Sequence, residues 1–180
     1  IDGIDLYDPN AANPATMEYG YGLFKAAVDN GCRFNTIKNC VVTLNRINNA
    51  SGSGPAVEGS RAIQAVNATL AAQTTNVTPT VAEGTNSNNM FYSNTLQNCN
   101  YGIVLNGYAA ATPFTLGDTG NDVGGSGPST GNMIINFGGA ASATNPAAAV
   151  RATNQWGVNI SYNTINNNDG SGVNHVSTLR

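Results

Sequence analysis

Charge is what this chain has least of. Lys, Arg, Asp and Glu make up 9% of its 180 residues, against about 25% in ordinary globular domains. The formal net charge is −3. Seven dispersed Lys and Arg residues leave no basic patch to hold nucleic acid by counterion release and no polybasic segment for a membrane surface. Long apolar runs are missing too, so nothing in the sequence reads as a transmembrane helix of ~18 residues or more. Residues 1–20 lack the basic, apolar, small-residue order of a signal peptide. The three cysteines, Cys32, Cys40 and Cys99, are odd in number and match no zinc or CxxC spacing. Small buried hydrophobes are the ordinary reading of all three, with a Cys32–Cys40 link or a stacked Cys40–Cys99 contact left open. The length suits one domain with a real core. The chain opens without a start pattern and stops at HVSTLR, directly after a strand-like segment, so it is expected to be a piece of a longer protein.

Neutral polarity takes the place of charge: 28 asparagines and 21 glycines, with many Ser and Thr. A surface soluble without lysine fits a secreted or cell-surface protein. Asparagine suits neither a helix nor a strand, because its side chain competes for backbone hydrogen bonds. Yet it recurs in a pattern. The template Asn-x-[Ile/Leu]-x-Asn occurs as NTIKN (35–39), NRINN (45–49), NTLQN (94–98), NMIIN (132–136) and NTINN (163–167). A second template, a small residue followed by apolar alternation, occurs as GLFKA (22–26), AIQAV (62–66), GIVLN (102–106), AVRAT (149–153) and GVNHV (172–176). The two interleave, with Gly, Ser, Pro, Thr and Ala in the gaps.

Each match is too short for a helix and alternates with period two, as short strands do. No window sustains a 3.6-residue apolar period, which excludes helical repeats. A sandwich would need longer strands with regular hairpin turns. A stack of parallel strands about 4.8 Å apart needs what is present: asparagine adopts the left-handed backbone of a corner, and its amide can bond to amides above and below. Asn39, Asn98, Asn136 and Asn167 are the expected corner ladder. Leu23, Ile63, Ile103, Val150 and Val173 are expected to form one inward column, and Ile37, Leu96, Ile134 and Ile165 another. Phe24, Gln64, Val104, Arg151 and Asn174 are expected to face solvent.

The stretches VNISYNTINNNDGSGVNHV (158–176), CRFNTIKNCVVTLN (32–45) and MFYSNTLQNCNYGIVLN (90–106) resemble the repeats of the right-handed parallel β-helices of the pectate-lyase-like superfamily. TLGDTGNDVGGSGPSTGNMIINF (115–137) is similar to loop-then-strand units of large secreted and cell-surface β-helix proteins of bacteria, especially Bacteroidetes. The resemblance covers most of residues 20–180. It implies an all-β, right-handed parallel β-helix solenoid of about six coils, forming a single segment over residues 1–180. Loop excursions are expected near 50–60 and 107–131, where Gly, Ser and Pro interrupt the alternation.

Function is less written. Superfamily enzymes carry acidic calcium ligands with a Lys or Arg base, or clustered aspartates with a Gly-His-Gly turn, and neither set transfers residue by residue. Asp118 and Asp122 in LGDTGNDVGG are weak calcium candidates, against aspartates serving turn hydrogen bonds. His175 shares the alternation column of Ala65, Leu105 and Ala152, so it is expected inside, with a catalytic base as the alternative. Lys25, Arg61 and Arg151 offer a small cationic patch for an acidic glycan, or ordinary solvated side chains. Tyr92, Tyr101, Tyr108, Phe114 and Trp156 offer rings for sugar stacking, or caps on strand edges. Asn49, Asn67, Asn76 and Asn159 begin Asn-x-Ser/Thr triplets, glycosylation candidates only in a eukaryotic secretory context. No catalytic residue is assigned. The expected role is a non-catalytic structural or adhesive segment of a large extracellular or cell-surface bacterial protein. Its partners would be neighbouring coils or domains of that protein, and surface glycans. The alternatives are a polysaccharide lyase or glycoside hydrolase, or a glycan-binding module without turnover.

Overall fold

The computed structural model describes residues 1–8, 17–46, 54–57, 59–138 and 147–167. Fifteen short strands of two to nine residues make an all-β protein, with two single 3-10 turns and no α-helix among the described residues. The strands are β1 (Leu6–Tyr7), β2 (Tyr19–Lys25), β3 (Thr36–Lys38), β4 (Val41–Thr43), β5 (Arg61–Thr69), β6 (Met90–Tyr92), β7 (Thr95–Cys99) and β8 (Tyr101–Asn106). They continue as β9 (Asp118–Thr119), β10 (Asp122–Val123), β11 (Met133–Phe137), β12 (Ala148–Thr153), β13 (Gln155–Trp156), β14 (Asn159–Ile160) and β15 (Thr164–Asn166).

They pair only in parallel, in four sheets ordered β1-β4-β7-β11-β15, β14-β10-β6-β3, β12-β8-β5-β2 and β13-β9. From β3 onward the chain visits three of these sheets in the same sequence, returning each time one strand further along. The deepest sheet is five strands among the described residues, beside the six coils expected. A sixth strand segment sought at 172–176, with Val173, Asn174 and His175, lies outside the described residues.

Register explains the alternation. Leu6, Val42, Leu96, Ile134 and Ile165 share one column. Ile37, Phe91, Val123 and Ile160 form the second. Tyr21, Ile63, Ile103 and Val150 form the third, with Leu23, Ala65, Leu105 and Ala152 two residues on. Val42, Ile63, Phe91, Leu96, Ile103, Leu105, Val123 and Ile134 are fully buried in one continuous core. Each contributes about 1.5–3 kcal/mol of apolar burial.

Two expected placements are corrected here. Ile37 belongs with Phe91, not Leu96, because NTIKNCVVT holds two strands separated only by Asn39 and Cys40. Leu23 lies over Ala65, two residues from Ile63. The small residue of that strand is therefore Gly20, in the column of Ala62, Gly102 and Ala149. A Cβ on Gly20 would come within 2.6 Å of the Ala62 carbonyl oxygen and of a Val42 methyl.

The outer face of β5 and β8 also departs from expectation. Gln64 and Val104 do not face solvent: they are 1% and 0% exposed. A second apolar cluster of Val57, Val66, Ala68, Tyr101 and Val104, joined by Phe24 and Ala148, covers that face. Its cover comes from residues 54–57 and 59. There the Val57 and Gly59 carbonyls take Arg61 Nη1 at 2.6 Å each, and the Pro55 carbonyl takes Asn106 Nδ2 at 2.6 Å.

Of the expected excursions, 107–131 contains wall strands β9 and β10 between irregular stretches. Residues 70–85 also leave the sheets, a departure the composition did not mark.

Candidate functional site

The polar interior of this protein is a set of asparagine columns. Asn94, Asn132 and Asn163 stand in one, at the corner preceding β7, β11 and β15. Asn94 Oδ1 accepts the Cys40 backbone N–H (3.1 Å), and Asn94 Nδ2 donates to the Ile37 carbonyl (3.0 Å) and to Asn132 Oδ1 (3.0 Å). Asn132 repeats the scheme: Oδ1 accepts Asn94 N–H (3.1 Å), and Nδ2 donates to the Phe91 carbonyl (2.8 Å) and Asn163 Oδ1 (2.8 Å). Asn163 continues it to the Val123 carbonyl (2.9 Å).

A second column, Asn35, Asn89 and Asn121, precedes β3, β6 and β10. Its backbone N–H to Oδ1 distances are 3.1 and 2.9 Å, and its amide to amide distances 3.0 and 3.1 Å. A third runs from Cys32 N–H to Asn86 Oδ1 (2.9 Å), from Asn86 N–H to Asp118 Oδ1 (2.9 Å), and on to Gln155 (Nε2 to Asp118 Oδ2, 3.4 Å). Asn86, Asn89, Asn94, Asp118, Asn121 and Asn132 are at most 1% exposed. Backbone groups at a buried corner need partners, and one amide supplies them to the strands on both sides.

The expected ladder holds in part, and the buried columns lie beside it. Asn98 and Asn136 do take left-handed backbone, φ 53° and 49°, and the Asn136 amide donates to Asn98 Oδ1. Asn167 follows them and pairs with Phe137, its Oδ1 accepting the backbone N–H at 2.7 Å and its Nδ2 donating to the carbonyl at 2.8 Å. Asn39, φ 57°, belongs to another corner, where Ser93 (φ 54°) and Tyr162 (φ 57°) repeat its conformation, and its amide donates to Asp2 (2.7 Å). So the last asparagine of NTIKN, NTLQN and NMIIN turns the corner, and the first, which sequence reasoning passed over, holds the column.

The aspartates are committed to different surroundings. Asp118 is 0% exposed inside the third column, and burial raises its pKa, opposed by the Asn86 N–H, Lys25 and Gln155. Asp122 lies on the outer face. Its Oδ2 accepts the Tyr92 hydroxyl (2.6 Å), and its Oδ1 accepts Gly125 N–H (2.9 Å) and Asn159 Nδ2 (2.8 Å). Asn159 Nδ2 also reaches the Gly125 carbonyl (3.0 Å) and Ser161 Oγ (2.9 Å). Burial, then the Asp122 bond, pushes the Tyr92 phenol up to about 12. The two carboxylates share no hydrogen-bonding partner, and turn and column bonding account for both.

The expected cationic patch is corrected by burial: Lys25 and Arg61 are 2% and 1% exposed. Lys25 Nζ donates to the Gly84 carbonyl, and desolvation lowers its pKa against the pull of Asp118 and Cys32. Arg61 spans the second cluster, with Nε to Gln64 Oε1 at 3.2 Å and Nη2 to Glu18 at 3.4 Å. Only Arg151 keeps partial exposure.

Tyr101 is buried and Tyr92 is engaged with Asp122. Phe114, φ 66° and 43% exposed, stacks on Trp156 at 5.3 Å between centroids and 29° between planes. Tyr108 is half-buried. The cysteines are free, with Cys40 and Cys99 in the core and Cys32 half-buried. Burial pushes Cys99 up to about 12. Asn67 is buried, Asn76 and Asn159 are exposed, and Asn49 and His175 lie outside the described residues.

Among the described residues no three His, Cys, Asp or Glu side chains gather as a metal site, and no helix is long and apolar enough to cross a membrane. The arrangement defines an all-β protein of stacked parallel sheets with internal asparagine hydrogen bonding. Comparison with protein-family models, curated proteins and solved structures finds no match to the chain.

Proposed function

We propose that the chain is a non-catalytic segment of a parallel β-helix, structural or adhesive in role, within a larger secreted or cell-surface protein. Its coils would be right-handed and of the pectate-lyase-like kind. The supporting observation is where the polar groups are spent. The buried amides of Asn86, Asn89, Asn94, Asn121 and Asn132 bond from one strand level to the next. Such bonding gains from each added coil, since a new level covers the open strand edge of the last.

A second reading, glycan binding without turnover, draws on Phe114, whose ring is open to solvent while stacked on Trp156; flat apolar rings suit pyranose faces. The test is to incubate the protein with calcium and a panel of pectin, alginate and neutral glycans, following unsaturated products and new reducing ends. The expected result is no turnover. Turnover abolished by Asp122→Asn or by replacing His175 overturns the structural reading in favour of a lyase or hydrolase. Glycan retention lost in Phe114→Ala, without turnover, selects the second reading.

A further inference from the structure

The third column contains one residue out of type. Where Asn121 and Asn132 stand in their columns, this one has Asp118, and its Oδ1 accepts the Asn86 N–H at 2.9 Å as the asparagine oxygens accept theirs. An asparagine rung also donates: Asn86, Asn121 and Asn132 each send Nδ2 to a carbonyl of the preceding level, at 2.9, 2.8 and 2.8 Å. A carboxylate has no proton to give. A carboxylic acid has one, on Oδ2, and reproduces the asparagine rung in both roles.

We propose that Asp118 is held as a neutral carboxylic acid and makes this column an acid-tightened joint between strand levels. The surroundings favour that form. Asp118 is 0% exposed, and the ion pairs among the described residues, Arg33–Glu83, Lys38–Asp2 and Arg61–Glu18, do not include it. The one charged group that acts on it is Lys25 of β2, whose Nζ is turned to the Gly84 carbonyl; Asn86 and Gln155 are neutral. Its strongest donor is the Asn86 N–H, while Gln155 Nε2 stands 3.4 Å from Oδ2. Asp118 Oδ2 and the Asn154 carbonyl oxygen lie 2.8 and 2.4 Å from the point a Cβ on Gly107 would occupy. Oδ2 therefore lies against Gly107, the residue directly after β8.

Burial raises the Asp118 pKa above its ordinary value. The sign follows: a folded pKa above the unfolded value of ~4 gives a stabilising contribution that is complete below ~4 and is lost as pH climbs through the folded value. The column tightens in acid and loosens toward neutrality.

The test uses the whole chain. In carbon-13 labelled protein, the Asp118 carboxyl resonance is expected to titrate with a midpoint above the ordinary aspartate value of about 4. Thermal unfolding is expected to show Asp118→Asn matching the parent near pH 4 and exceeding it by several degrees near pH 8, with the gap widening between. A midpoint at or below about 4, or a gap that does not change with pH, overturns the proposal. If Asp118→Asn does not fold, the parent resonance, assigned through bonds, decides alone.

Discussion

Replacing Asn94 by Ala isolates what a column asparagine contributes. The residue is 1% exposed, and its amide is the acceptor for Cys40 N–H and the donor to the Ile37 carbonyl and Asn132 Oδ1. Truncation orphans two buried backbone groups, at about 1–3 kcal/mol each. Asn132 Oδ1 keeps the Asn94 backbone N–H as a donor, so the loss there is small. The expected total is about 3–4 kcal/mol. For a chain of this length that lowers Tm by roughly 6–16 °C.

Asn98→Ala loses something different: a left-handed corner, φ 53°, at about 1–2 kcal/mol for an alanine, plus a half-exposed amide contact. Glycine separates the two causes. It takes positive φ freely, so Asn98→Gly is expected to stay close to the parent, while Asn94→Gly remains as unstable as Asn94→Ala. Urea unfolding of the four variants measures this. Equal losses at 94 and 98, or rescue by glycine at 94, would refute the division of labour between the two asparagines.

Gln64→Ala is expected to cost about 1–3 kcal/mol, because it leaves the buried Arg61 Nε without its acceptor; a neutral result would mean that the cover over β5 does not hold. Gly124→Ala places a Cβ 1.8 Å from the Ser161 carbonyl oxygen at φ 105° and is expected to cost about 3 kcal/mol or more. Gly127→Ala, with nothing within 4 Å, is expected to be neutral or stabilising by up to about 1 kcal/mol, and the reverse order in thermal melts would contradict these corners. A thiol reagent is expected to label Cys32 slowly in the native protein, and Cys40 and Cys99, 1% and 0% exposed, only on unfolding. Prompt native labelling of Cys99 would argue against its place in the core.

The strands were legible because apolar alternation and asparagine or glycine corners leave local marks. Leu96, Ile134 and Ile165 fall in register as NTLQN, NMIIN and NTINN suggest. NTIKN carries the same spacing in another sheet, because corners before β3 and before β7 both use asparagine and a short string cannot tell them apart. The buried rungs were missed for a related reason: both ends of the template are asparagine, and pattern alone does not say which end points inward. Their position one residue before each strand was the available signal. The burial of Gln64 had no local mark, since its cover comes from residues 54–57 and 59, and the burial of Lys25 depends on the carbonyl of Gly84, 59 residues away.

The columns also account for the irregular period. From Asn35 to Asn89 and from Cys40 to Asn94 the separation is 54 residues, from Asn89 to Asn121 it is 32, from Asn94 to Asn132 it is 38, and from Asn132 to Asn163 it is 31. The step from 32 to 38 is the six residues added between β10 and β11, beside the pair Gly124 and Gly125, both at positive φ. Added length enters between rungs without shifting them, because each rung bonds the backbone at its own corner. Loop closure adds only about 0.6 kcal/mol per doubling of loop length, less than one buried rung contributes. A wall pinned at its corners can therefore carry loops of very different lengths on one unchanged core. Variation in what this protein meets is thus expected to be written in 70–85, 107–117 and 124–131, while the asparagines that hold them stay fixed.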